Sequence, residues 1–128
     1  MKLRLQSNSV RFRLKRGEVD QLVKLGQVQE TIIMGDGPDD QLVYTLESSP
    51  KVFAPQVSLK KNHVLVEVPR DTAVHWATSD DVGIETRLSV GGGREVHVLV
   101  EKDFACLNDN EEQNRDAFPN PLAETGKC

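Results

Sequence analysis

Aromatic residues make up only 5% of this 128-residue chain, with one tryptophan and one tyrosine. The core is therefore expected to come from Val, Leu and Ile, with Trp76 its one large aromatic. There are two cysteines, Cys106 and Cys128, too few for a disulfide framework. No apolar run approaches membrane-spanning length, and the first residues, MKLRLQSNSVRFRL, alternate instead of forming a signal-type block. A cytoplasmic protein that does not enter a membrane is expected. No HxH, HExxH or CxxC spacing occurs, and no GxSxG nucleophile turn. The acids Asp109, Glu111, Glu112 and Asp116 have no glycine at the sharp turn that an EF-hand loop needs. No catalytic set is legible, and a protein without catalytic activity is expected.

Positive charge is also in short supply. Residues 1–50 hold seven basic and seven acidic side chains, and residues 51–100 hold six of each. Residues 101–128 hold three basic and seven acidic, which accounts for the whole net charge of −4. A neutral body with an acidic tail argues against a general nucleic-acid or acidic-membrane binder, which needs positive potential over its surface.

What the chain does have is an internal repeat. Asn62–Glu85 falls on Asn8–Thr31 at a constant offset of 54. Val64, Val66 and Val68 match Val10, Phe12 and Leu14. Ala73, Trp76 and Ala77 match Val19, Leu22 and Val23, and Val82 matches Val28. The offset extends to Leu3 and Leu5 on Val57 and Leu59, and to Leu42, Tyr44 and Leu46 on Val96, Val98 and Val100. A fixed period of this kind marks duplicated supersecondary units.

Alternating apolar and polar residues predict strands, and i, i+3, i+4 apolar spacing predicts helices. Each half then reads strand, strand, helix, strand, strand. The strands are expected at Lys2–Leu5, Val10–Leu14, Gln27–Met34, Gln41–Glu47, Lys51–Leu59, Asn62–Val68, Val82–Val90 and Arg94–Val100. The helices are expected at Gly17–Leu25, stopped by Gly26, and at Arg70–Thr78, with Asp71 as a possible N-cap. A half of about 50 residues buries too little to be stable alone. The fold class is thus α+β: a tandem ββαββ pseudo-repeat forming one mainly antiparallel, barrel-like sheet with two short helices. Residues 1–107 form a single domain of two pseudo-repeats, about 1–50 and 51–107. Residues 108–128 form an acidic, Pro- and Asn-rich tail, with Phe104–Leu107 and Phe118 as points that could pin it to the body.

Candidate sites are few. Lys2, Arg4, Arg11, Arg13 and Lys15 share one face if the first two strands pair. Arg11, Arg13 and Lys15 are the anion-binding candidates, for phosphate or a carboxylate. Acids such as Glu30 or Glu47 could instead neutralise them, and no Gly-rich turn follows to cradle a phosphate. Cys106 with Asp103 and one of the strand histidines, His63 or His97, could hold a soft transition metal or make a reactive thiol. The competing reading is a small buried side chain that docks the tail, with the histidines on the surface. Trp76 is expected in the core.

Two resemblances follow from these residues. Met1-Lys2-Leu3-Arg4, Asn8-Ser9-Val10-Arg11 with Arg13-Leu14, Glu101–Leu107 and Phe118-Pro119-Asn120-Pro121 resemble a family of small bacterial proteins of unknown function. The likeness implies that Asp103, Cys106 and the FPNP segment matter, and it brings no catalytic residue or cofactor with it. The ββαββ order, with Val68-Pro69-Arg70 entering the helix, is similar to the swapped-hairpin barrels of AbrB-type regulators. That likeness would make the chain a fused pseudo-dimer and a DNA-binding regulator, although the first half has Lys15 where the proline would be. The expected function is a small binding or accessory protein, monomer or homodimer. A protein or small-molecule ligand is expected at the seam between tail and body.

Overall fold

The computed structural model describes residues 1–104 and 115–119. Its elements run β1 (Lys2–Gln6), β2 (Ser9–Leu14), α1 (Arg16–Leu25), β3 (Gln27–Ile33), β4 (Gln41–Ser49), β5 (Gln56–Lys60), β6 (His63–Pro69), α2 (Arg70–Thr78), β7 (Gly83–Gly91) and β8 (Arg94–Lys102). The α+β class and the tandem strand–strand–helix–strand–strand units are as the sequence leads one to expect. The single barrel-like sheet is not. The strands form two separate four-stranded sheets, β1-β2-β8-β7 and β3-β4-β6-β5, and neither closes.

Each sheet takes one hairpin from each half. The outer pairs are antiparallel, and the hairpins meet along a parallel central pair, β2 with β8 and β4 with β6. Adding 54 to β1 and β2, and subtracting it from β7 and β8, turns the first sheet into the second. Ser9 pairs His97 in one, and His63 pairs Val43 in the other, at equivalent rungs. The two sheets are thus related by a pseudo-twofold, and neither half owns a complete sheet.

The repeat is not gapless in space. Val28 pairs Leu46, but the residue opposite Val100 is Ile84, not Val82. Ile84 is 9% exposed and belongs to the core, whereas Val82 is 52% exposed. From Trp76 to Ile84 the second half has two residues more than the first has from Leu22 to Val28, and from Ile84 to Val100 it has two fewer than the first has from Val28 to Leu46. Backbone bonds confirm the shift: Ser48 N–H donates to Gly26 O, and Lys102 N–H donates to Val82 O. The displaced segment is held by the Trp76 indole, whose Nε1–H donates to Val82 O at 3.1 Å.

The core joins the inner faces of both sheets to the helices. It contains Phe12, Leu14, Val19, Leu22, Val28, Tyr44 and Leu46 from the first half. Val64, Val66, Val68, Ala73, Trp76, Ile84, Val98 and Val100 come from the second. Trp76 is 1% exposed, in the place that Leu22 fills in the other half. Phe12 and Tyr44 meet across the sheets with ring centroids 5.9 Å apart. Helix α1 ends as expected, on Gly26 in the left-handed region at φ 87°. Pro69 takes the N-cap position of α2, so Asp71 lies inside the first turn. Residues 51–55 stay out of the sheet, and β5 begins only after Pro55.

Candidate functional site

The seam between tail and body is built where β8 runs past its own half. Asp103 N–H donates to Leu14 O at 2.8 Å, extending the parallel ladder by one residue. Phe118 N–H donates to Asp103 O at 2.8 Å, and the rings of Phe104 and Phe118 lie 6.0 Å apart. Of the expected anchors, Phe104–Leu107 and Phe118, the described residues Phe104 and Phe118 meet here, and residues 105–107 lie outside the described residues.

Asp116 closes the seam on α1. The N-cap residue of that helix is Lys15, whose side chain has no acceptor, so the first amides lack a local partner. Asp116 supplies it from a distance of one hundred residues in sequence, to the nearest ten. Its backbone O accepts from Arg16 N–H at 3.0 Å, and its Oδ2 accepts from Gly17 N–H at 2.9 Å. Asp116 itself has φ 58°, a conformation that Asp tolerates better than most residues. Glu18 adds the local half of a capping box, its Oε1 accepting from Lys15 N–H at 2.9 Å. A Cβ at position 17 would stand 2.9 Å from Asp116 Oδ2, so a side chain there would displace that carboxylate from its bond to Gly17 N–H.

Two charged residues are buried at this seam, Lys102 at 7% and Asp103 at 6% exposure. Lys102 Nζ donates to Ser79 O at 2.7 Å and lies over the rings of Phe118 and Trp76, 5.6 and 6.0 Å from their centroids. It ties the extra residues after α2 to the tail. The Lys2 ammonium lies 3.0 Å from Asp103 Oδ2, as an ion pair without hydrogen-bond alignment.

That ion pair connects the seam to a cationic face. Lys2 sits opposite Arg13 and Arg4 opposite Arg11, so four cations stand in two rows on the β1–β2 hairpin. With Leu3 they line a depression of about 320 Å³. Their acidic neighbours are Glu101, whose Oε1 is 2.9 Å from Arg11 Nε, and Asp103. Glu30 and Glu47 are not the neutralisers, because both lie on strands of the other sheet. Arg4 and Arg13 have no carboxylate within 4.0 Å among the described residues. Lys15 is not part of this face. β2 ends at Leu14, and Lys15 turns away to start α1.

The histidines are not brought together. His63 Nε2 is 2.7 Å from Thr45 Oγ1 in one sheet, and His97 Nε2 is 2.6 Å from Glu85 Oε1 in the other. Along β8, His97 precedes Lys102 by roughly 16 Å at the usual strand rise, too far to share a metal with Asp103. Among the described residues no group of three or more His, Cys, Asp and Glu side chains is placed to hold a metal ion. Cys106 lies outside the described residues.

A second polar cluster has no counterpart in the sequence reading. The Met1 amino group contacts Glu18 and lies 2.5 Å from Glu30 Oε1. Tyr44 Oη is 2.7 Å from Glu30 Oε2 and 2.9 Å from Met1 O. Burial raises the Glu30 pKa, but hydrogen bonds from the amino group and Tyr44 outweigh it and hold the carboxyl below its usual range. Burial, the bond to Glu30 and the nearby negative charges push the Tyr44 hydroxyl up. The available signal was a break in alternation: Glu30 occupies an inward position between Val28 and Ile32, and Lys102 one after Val98 and Val100.

No helix of the described residues is long and apolar enough to cross a membrane. No curated protein and no solved structure matches the chain. A family profile spans residues 1–122, so the whole body and the returning segment share one family pattern. The chain belongs to DUF7009, a family of unknown function.

Proposed function

We propose that this is a binding protein without catalytic activity, and that the β1–β2 face beside the tail seam takes an anionic ligand, through phosphate or carboxylate groups. The observation that carries this reading is the comparison the molecule makes with itself. At the pseudo-twofold positions of Lys2, Arg4, Arg11 and Arg13, the second hairpin has Gln56, Ser58, Leu65 and Glu67. The same scaffold folds there without a cation. The four cations are therefore not a requirement of the hairpin. Like charges directly opposite each other also cost stability, in the range of about 0.2–1 kcal/mol per pair. An anion between the rows would relieve that repulsion, and guanidinium groups suit planar, two-point recognition of carboxylate or phosphate.

The test is a titration with inorganic phosphate, tripolyphosphate and citrate, followed by amide shifts at low ionic strength. Shifts confined to β1 and β2, weakened by salt and lost in the Arg4→Glu/Arg13→Glu variant, are expected. No shift with any of these anions, or equal shifts in that variant, would refute the assignment.

A further inference from the structure

Among the described residues, two open four-stranded sheets leave four edge strands: β1, β7, β3 and β5. An edge offers unpaired backbone groups to any other strand, and proteins guard against this with charges, short strands, proline and bulges. Three of the four edges carry such guards. β1 is five residues long and presents Lys2 and Arg4. β5 is also five residues long, follows Pro55 and ends in Lys60, with Lys61 in the turn after it. β7 presents Glu85 and Arg87, and its pairing is broken by a bulge between Ser89 and Gly91.

β3 is the least guarded of the four, with the inward Glu30 its one such feature. Its seven residues, QVQETII, contain no Lys, Arg, Pro or Gly, and its register with β4 is unbroken from Gln27 to Ile33. Its one charge, Glu30, points inward and is engaged by Tyr44 and the Met1 amino group. Its far end is apolar and open to solvent: Ile32, Ile33 and Met34 are 40%, 74% and 71% exposed. The outward side chains, Gln27, Gln29, Thr31 and Ile33, are all uncharged.

We infer that β3 is a homodimer edge, on which the β3 strand of a second copy adds antiparallel. A second copy fits this edge for two reasons. Antiparallel pairing of one strand with itself across a twofold is self-complementary and closes after two subunits. It also brings no like charges face to face here: pairing the exposed end with its copy sets Thr31 against Ile33 and Ile32 against Ile32. The same operation on β1 would set cations against cations. The product is one continuous eight-stranded sheet, with the cationic β1–β2 faces on the other sheet of each subunit and free. The inference is independent of the anion site.

A single pair of strands buries less than a permanent interface, so the association is concentration-dependent. Sedimentation velocity of the full chain, from about 1 to 500 µM, spans the affinities expected of so small a contact. The chain is expected to pass from monomer to dimer over that range. Thr31→Lys and Ile33→Lys, both at exposed positions, are each expected to weaken the dimer tenfold or more. Lys60→Glu, on the guarded β5 edge, is expected to leave it unchanged. In parallel, hydrogen exchange of the amides of residues 27–33 is expected to slow as concentration rises. A monomer throughout, with exchange of β3 independent of concentration, overturns the inference. So does a dimer that both lysine variants leave intact.

Discussion

Replacing Asp116 isolates how a distant residue starts α1. In Asp116→Ala the bonds to Gly17 N–H and, through the altered turn, to Arg16 N–H are at stake. Loss of an N-cap acceptor costs about 1 kcal/mol. Forcing alanine to keep φ 58° costs about 1 kcal/mol more. The expected loss is about 2 kcal/mol, felt first as undocking of the returning segment and only then in the whole fold. Asp116→Asn keeps the backbone preference and a side-chain acceptor, and should lose only the charge–dipole part, about 0.5 kcal/mol at this exposed site. Gly17→Ala completes the cycle. Alanine is the better helix former by about 1 kcal/mol, but its Cβ would press on Asp116 Oδ2. It should therefore destabilise the native chain and stabilise Asp116→Ala. Urea unfolding, with hydrogen exchange at Arg16 and Gly17, reads both. Unchanged exchange at those two amides in Asp116→Ala, or the same sign for Gly17→Ala in both backgrounds, would show that Asp116 does not cap α1.

Two further outcomes test the fold and the amino-terminal cluster. Ile84→Ala should cost about 2–4 kcal/mol, while Val82→Ala, at an exposed position, should stay within about 0.5 kcal/mol; chemical denaturation that ranks them the other way would restore the gapless repeat. Glu30 has a depressed folded pKa, so its contribution is in place above the ordinary carboxylate range and is lost as pH falls through the folded value. The Tyr44 hydroxyl is shifted upward, so its share is in place below the ordinary tyrosine pKa of about 10 and fades as pH rises beyond it. Tyr44→Phe should cost about 1 kcal/mol near neutrality and flatten the alkaline limb. Glu30→Gln should flatten the acid limb, and melting curves across pH that keep both limbs would contradict this account.

Much of the architecture was legible because strands and helices write their periods into the chain. The repeat was visible for the same reason, and its one error is instructive. Moving β7 by two residues leaves every side chain on its original face, because the strand period is two. Val82 and Ile84 were thus interchangeable by pattern, and only pairing with Val100 separates them. The number of sheets was not legible, since alternation says which face is buried but not which strand lies alongside. The arginine rows were legible, except that Lys15 was counted with them by parity although the strand had ended. The Asp116 cap left no local trace. An acid in a polar tail carries no mark of the helix amides it reaches, and the need for it shows only in Lys15, a capping position without an acceptor.

The parallel seams have a consequence for how the chain is made. β2 leaves the ribosome about 80 residues before β8, the strand beside it. Until Arg94–Lys102 has been synthesised, the first hairpin has an open flank, and Phe12 lacks Val100, its partner across the parallel pair. Contacts so distant in sequence form slowly. The second sheet has all its strands earlier, once β6 is out, and can shelter the growing chain while the first waits for β8.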